Sequence, residues 1–359
     1  MFDLKPLLDQ LEVPGNYQIS MPEHFNFGFD VIDARAGDGD KTAYIWVDRS
    51  ATHIEHHSFS DLSKASSRFA NLLHGSGVAK GDAAIVVLPR VPAWYEVIIG
   101  CIKAGVVAMP GTNLLTAKDI EYRINKSQAT TIVVSAEHVA KIDSVRDSCP
   151  SLKHLILVGG EESGWINYEK GCAGASDEVE PAAVCRSRSD DIMMAYFTSG
   201  TTSFPKMVPR DHGYALGHAI TGRYWMGLRE DDVHWTLSDT GWAKAAWGML
   251  FPQWLFGAAV VLYDGDPRFD ADIHLRLISK LGVTTFCAPP TIFRLFAQMD
   301  VSDYDLSSLR HSMSAGEPLN PQAIKMWKEA TGTTVHDGYG QTETVNVVAN
   351  VPGMEIRPG

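Results

Sequence analysis

Cysteine is scarce and unpaired: Cys101, Cys149, Cys172, Cys185 and Cys287 are scattered over 359 residues, odd in number and without a CxxC pair. Such spacing offers neither a zinc site nor a disulfide framework, and the thiols read as reduced and mostly buried. Excess positive charge is missing as well. With 31 Lys and Arg against 43 Asp and Glu, a net charge of −12 and a pI near 5.5, the chain lacks the basic surface that nucleic acid selects, so no such partner is expected. Long apolar runs are missing too. The longest, Trp254 to Tyr263, is ten residues with Gly257 inside it, too short to cross a bilayer, and no stable membrane insertion is expected. The opening MFDLKPLLDQLEVPG is acidic and mixed, without the charged-then-apolar pattern of a signal peptide. No fixed-period repeat is visible, which excludes a solenoid, and no Ser/His/Asp or Cys/His nucleophile motif is recognisable. The expectation is a soluble, cytoplasmic protein, with a homo-oligomer left open.

What is present suits a large α/β protein. Apolar residues make up 45% and charged residues 21%, ordinary for a chain with a full core. Short β-branched runs at 43–47, 83–88, 106–109, 131–134 and 155–158 predict strands, with helical periodicity at 62–73 and 94–104 between them. A second set follows, with strands at 192–197, 233–237, 258–262, 284–287 and 333–335. Helices are predicted at 214–226, 245–255, 270–280, 290–299 and 320–331. Alternation of this kind predicts mostly parallel sheets with crossover helices. The Gly-, Ser- and acid-rich stretch 159–191 reads as an irregular connection, which divides the chain into subdomains of roughly 40–185 and 186–350.

Three segments carry chemistry. In Tyr196-Phe197-Thr198-Ser199-Gly200-Thr201-Thr202-Ser203-Phe204-Pro205-Lys206, a strand-like lead-in runs into glycine and hydroxyl residues, then one cation. Hydroxyls and backbone N–H groups can converge on a polyphosphate where Gly200 lets the chain fold closely, with Lys206 as a point charge. It is not a Walker loop, because Pro205 precedes the lysine and Met207 follows it. Alone, it reads equally well as a Ser/Thr-rich turn. The second segment is His336-Asp337-Gly338-Tyr339-Gly340-Gln341-Thr342-Glu343-Thr344, placed as a loop at the end of strand 333–335. Tyr339 suits stacking on a base, Thr342 a phosphate contact and Glu343 oxygen ligation of Mg²⁺; the plain alternative is a glycine-rich turn with a solvated Glu. Third is Ser314-Ala315-Gly316-Glu317-Pro318-Leu319, where small residues admit a flat ligand and Pro318 is expected to start the next helix. A simple strand-to-helix turn fits it equally well.

Together, and in this order, the segments resemble one family. TSGTTSFPK resembles the phosphate loop TSGTTGxPK of the adenylate-forming enzymes, and DGYGQTE resembles their NxYGxTE motif. SDTGW at 238–242, SAGEP and Gln341 are most similar to the medium-chain acyl-CoA synthetase branch. The resemblance covers essentially the whole chain. It implies two stacked α/β subdomains, and it assigns Thr198, Ser199, Gly200, Thr201, Thr202, Ser203 and Lys206 to ATP phosphates. Gly316, Glu317 and Pro318 would line one side of adenine and Tyr339 the other, with Asp337 near the exocyclic amine and Gly338, Gly340 and Gln341 completing the segment. Thr342 would meet the α-phosphate and Glu343 would bind Mg²⁺, making Lys206, Thr342 and Glu343 the catalytic set. Trp242 would wall the acyl pocket, with Gly316 and Gly338 leaving room for the carboxylate. Ser203 departs from the family glycine; if φ is positive there, serine carries a strain of roughly 1 kcal/mol.

Implied partners are a carboxylic acid that is medium-chain, branched or aromatic, ATP, Mg²⁺ and coenzyme A as the acyl acceptor. Two alternatives stay open: a carrier-protein thiol as acceptor, and a nucleotide- or acyl-binding module without catalysis. The resemblance also implies that a ribose-binding aspartate, a hinge and a C-terminal lid domain with an adenylation lysine lie beyond Gly359. The chain therefore reads as an N-terminal domain, incomplete at its C-terminal end, expected to bind ATP or acyl-AMP weakly and to turn over poorly. Five tryptophans (Trp225, Trp235, Trp242, Trp247, Trp254) cluster within 225–254, and core packing is expected for most. Asp239 reads as a local cap, and His212 as either structural or a supporting group near the site.

Overall fold

The β-branched runs become strands of two sheets in the computed structural model, which describes residues 3–13, 17–37, 39–179, 186–198, 204–266 and 268–356. Among the described residues the first strands are β1 (Thr42–Val47), β2 (Ile54–Ser58), β3 (Ala83–Val87), β4 (Val107–Pro110), β5 (Thr131–Ser135), β6 (His154–Val158) and β7 (Ile166–Asn167). The chain continues with β8 (Ile192–Thr198), β9 (Lys206–Asp211), β10 (Val233–Thr236), β11 (Ala259–Tyr263) and β12 (Thr285–Ala288). It ends with β13 (His311–Ala315), β14 (Val335–Gly340) and β15 (Asn346–Ala349). One sheet has the order β7-β6-β5-β3-β4-β8-β9, the other β15-β14-β13-β12-β10-β11-β1-β2. Within these ladders pairing is parallel except at three edges, β1–β2, β8–β9 and β14–β15.

The near-continuous apolar runs follow from burial on both faces. Ala84 and Val86 of β3 enter a core shared by the two halves, while Ala83, Ile85 and Val87 enter a second core on the outer face of the same sheet. Strand β11 repeats the division, with Val260 and Leu262 in the shared core and Val261 and Tyr263 in an outer one beside Phe286 and Trp327. Helices Phe59–Gly75 and Pro92–Ala104 from one half meet helices Gly213–Ile220 and Phe251–Phe256 from the other, around Phe69, Trp94, Tyr95 and Trp254. Local signals set their ends: Ser58 and Asp61 form a reciprocal capping box, and Gly105 closes helix 92–104 with φ +68°.

The fold class matches the expectation, but the division of the chain at about 185 does not. Strands β1 and β2 belong to the sheet built mostly from residues after 233, with Tyr44 paired to Val260, and β8 and β9 belong to the earlier sheet. A run of β-branched residues announces a strand but not its distant partner. Helix 245–255 is in fact two helices, Ala243–Met249 and Phe251–Phe256, broken at Leu250 (φ −141°, ψ −84°), where Pro252 cannot continue the hydrogen-bond ladder. Strand β9 contains Pro209, tolerable because β9 is an edge strand. The stretch 159–191 contains β7 and a short helix, Tyr168–Ala173.

Candidate active site

The first segment is a β-hairpin mouth. Thr198, the last residue of β8, pairs with Lys206, the first of β9, in an antiparallel ladder. Ser199, Gly200, Thr201, Thr202 and Ser203 lie outside the described residues, and Cys185 does too. The outgoing arm is fixed to helix Ala117–Ser127: the Tyr122 ring stacks on Phe204 at 5.0 Å, and its hydroxyl donates to the Pro205 carbonyl at 3.0 Å. Lys206 is exposed at the mouth.

The other two segments come from neighbouring strands of the second sheet. β13 ends at Ala315, which pairs with Gly338 of β14, and Gly316 then turns the chain at φ +109°, a conformation that favours glycine. Glu317 and Pro318 follow on the surface, Glu317 facing Arg294 at 3.7 Å. Pro318 does not start the next helix; Pro321 does, with Asn320 as the cap accepting from the Gln322 amide at 2.8 Å. The second segment is also not a loop at the strand's end. β14 runs through Gly340, because its two glycines are demanded by close neighbours. A Cβ on Gly338 would lie 2.7 Å from the Trp225 ring and 2.8 Å from the Asn346 amide, and one on Gly340 would lie 2.6 Å from the Val345 carbonyl oxygen. The reversal comes one step later, where the Thr344 amide donates to the Gln341 carbonyl at 3.0 Å and the Thr344 hydroxyl accepts from the Gln341 amide at 3.0 Å.

One arginine joins the two halves at this point. Arg210, on β9, donates from its guanidinium to the Thr342 carbonyl and lies over the Tyr214 ring at 5.1 Å. Strand β9, which begins at Lys206, is thereby tied near its other end to the turn that carries Thr342 and Glu343. A cavity of about 590 Å³ opens beside this tie and gathers Trp242, Gly316, Glu317, Gly338, Gly340, Gln341 and Thr342 in its wall. Thr198, Lys206, Pro318, Asp337, Tyr339 and Glu343 are outside that wall; Tyr339 and Glu343 are exposed, and Asp337 accepts from the Asn350 side chain. Glu343 is a single exposed carboxylate. No group of three or more metal-ligating side chains occurs among the described residues, so a protein-only metal cage is not formed there.

Tryptophan packing divides as expected, with an addition. Trp225, Trp235 and Trp254 are buried, whereas Trp242 is 55% exposed at the start of helix 243–249. Trp225 and Trp247 also line the cavity, as do Tyr214, Lys244 and Asn346, none of which the motifs marked. The tryptophan cluster at 225–254 was the signal for Trp225 and Trp247 and a lone lysine in the run WAKAAW the signal for Lys244; Tyr214 and Asn346 gave none. Asp239 is a local cap, its carboxylate accepting from the Gly241 amide at 2.8 Å. Gly241 is forced by the Thr112 amide nitrogen, which would sit 2.0 Å from a Cβ there. His212 is buried below helix 213–220, away from the cavity wall, and burial pushes it down to about 4, so it is neutral and structural.

The molecule thus has two mostly parallel sheets packed on a shared core, with a cavity beside the glycine-bearing strand β14. The chain belongs to the AMP-binding enzyme family, which matches residues 32–358. It is 37% identical over 353 residues to the human acyl-coenzyme A synthetase ACSM3, mitochondrial, covering 96% of this chain and 59% of that protein. It is 41% identical over 348 residues to the human acyl-coenzyme A synthetase ACSM5, mitochondrial, covering 94% and 59%. The chain thus spans 59% of the length of these two relatives. Among solved structures, the anthranilate CoA ligase AuaEII in complex with anthranoyl-AMP superposes with a TM-score of 0.85 at 30% identity, covering 94% of this chain and 64% of that one. An acyl-CoA synthetase from Brucella canis gives 0.85 and 30%, covering 99% and 64%.

Proposed function

We propose that the chain forms the acid-activating site of an AMP-forming acyl-CoA synthetase, joining a carboxylic acid to AMP with release of pyrophosphate. The observation that supports the reading most is the Arg210 tie, which joins strand β9, the strand that begins at Lys206, to the turn carrying Thr342 in the cavity wall. A carboxylate resists nucleophiles because its charge is delocalised and its oxygen is a poor leaving group; an acyl-phosphate link removes both obstacles. One carboxylate oxygen forms the new bond to the ATP α-phosphorus as the bond to pyrophosphate breaks in line, so the site needs positioning and fixed charge, not a side-chain nucleophile. In this reading the loop 198–206 holds the outer phosphates with Lys206 as counter-charge, and the Thr342 hydroxyl meets the α-phosphate. Adenine lies between Gly316–Glu317–Pro318 and Tyr339, with Asp337 at its amine. Trp242 and Trp247 flank the acyl tail.

Glu343 fits a magnesium partner of the substrate, since Mg²⁺ keeps most of its waters and is commonly held by one or two carboxylates plus phosphate oxygens. When bound, the ion would neutralise charge on the departing pyrophosphate. Transfer of the acyl group to the thiol of coenzyme A belongs to the whole protein in this reading. The acid is a medium-chain, branched or aromatic one, and the anthranoyl-AMP bound in the AuaEII structure supports the last class. Unbridged Cys101, Cys149, Cys172 and Cys287 among the described residues support a reducing compartment. The cytoplasm is our reading; imaging of a tagged protein tests it against the mitochondrion named for the human relatives.

Calorimetry with a hydrolysis-resistant mimic, hexanoyl-sulfamoyl-adenosine, tests the site on the 359-residue chain. One saturable site, competed by ATP, is expected. Absence of binding, or binding that ATP leaves untouched, contradicts the proposal.

A further inference from the structure

The cavity wall is mostly aromatic or apolar, with Trp225, Trp242, Trp247 and Val345 among its residues, yet it holds two polar side chains without partners. Lys244 Nζ is shut off from solvent and makes no hydrogen bond among the described residues; neither do Asn346 Nδ2 and Oδ1. Buried polar atoms without partners are rare, because each forfeits its hydration for nothing, and a buried lone ammonium is the most costly case. Several other unpartnered atoms, including those of His218 and Trp94, lie outside this cavity wall, whereas these two residues share it. The Trp247 ring, 5.6 Å from Lys244 Nζ, offsets part of the cost through its negative face. Burial also holds the Lys244 ammonium below its ordinary range, with Cys287 and Glu317 opposing that shift.

We infer that Lys244 and Asn346 determine specificity by pairing with the substrate's tail, so that the preferred acid carries a hydrogen-bond-accepting oxygen on an otherwise apolar tail. This rests on the proposal that the cavity receives the acyl group. Lys244 has only donors to offer, and its flexible four-carbon stem can follow an acceptor; the Asn346 amide can donate and accept beside it. A plain alkyl tail leaves both groups desolvated and unpaired, and such a mismatch discriminates more strongly than one methylene does. Water bridging the two groups is the competing explanation, and it gives no advantage to a functionalised tail.

The test is calorimetry of the 359-residue chain with matched acyl-sulfamoyl-adenosines: hexanoyl against 4-oxo- and 5-oxohexanoyl, and phenylacetyl against 3- and 4-hydroxyphenylacetyl. At least one oxygen-bearing mimic is expected to bind about tenfold to a hundredfold tighter than its plain partner. Lys244→Met and Asn346→Leu, made separately, should each shrink that ratio toward one. The inference is overturned if the plain mimics bind as well as or better than all oxygen-bearing ones, a result that needs no variant to fold. It is also overturned if the preference survives in both variants. Binding of plain mimics without such a preference leaves the adenylating site standing and removes only this inference; binding of none removes both.

Discussion

At the scale of single residues, the site depends on glycines that the motifs flagged for the wrong reason. Gly338 and Gly340 looked like loop residues, but they stand in a strand where Trp225, Asn346 and the Val345 carbonyl leave no room for a side chain. Gly241 is the most constrained of all, since a Cβ would meet backbone that cannot swing aside. Gly241→Ala is expected to destabilise by about 3 kcal/mol, the upper end for overpacking. Urea unfolding measures it, and a change below about 0.5 kcal/mol would show that the backbone yields. Lys206 makes a different kind of contribution. Placed at the hairpin mouth, it is expected to meet the outer phosphates, so Lys206→Ala should weaken ATP about tenfold, the worth of a charge-assisted hydrogen bond. The acyl-adenylate mimic has no outer phosphates and should lose much less; equal losses in a calorimetric comparison would place the lysine elsewhere.

Elements matter because the two halves of the site come from different sheets. The hairpin β8–β9 and the turn after β14 meet through Arg210 and the Thr342 carbonyl. Arg210→Met should release the turn, raising hydrogen exchange at residues 341–345 and weakening the mimic about tenfold. Unchanged exchange there would mean that the β14–β15 ladder alone holds the turn. Legibility at this scale was uneven for physical reasons. The buried strands were plain because central strands packed on both faces are apolar and β-branched. The edges were not: β2 is Ile-Glu-His-His-Ser and β9 contains a proline, and half-exposed edge strands carry no apolar run. The cavity's Lys244 and Asn346 were illegible for a related reason, since a polar residue shows its burial only once its neighbours from other elements are in place.

For the molecule as a whole, the alternation of strands and helices gave the architecture, while the pairing of β1 with β11 across the chain was beyond any local pattern. The same deep packing creates an acid sensitivity. His212, His274 and His311 are pushed down to about 4 by burial, and His218 and His234 to about 3, from the usual 6.5. The unfolded chain takes up these protons first. Their contribution to stability is therefore complete above pH 6.5 and is lost as the pH falls toward 4 and then 3, at up to about 1.4 kcal/mol per pH unit for each histidine. Urea midpoints should fall steeply between pH 6.5 and 5. His218→Leu, at a ring with neither nitrogen bonded among the described residues, should make that slope shallower; an unchanged slope would show that His218 is protonated in the native state.

The central claim, that this chain builds an acid-adenylating site at the junction of its two sheets, is tested most directly by a crystal structure with hexanoyl-sulfamoyl-adenosine. Adenine is expected between Gly316–Glu317 and Tyr339, the sulfamoyl group beside Thr342, and the hexanoyl tail between Trp242 and Trp247. A mimic seated elsewhere on the chain, or a tail directed away from the cavity, would contradict it.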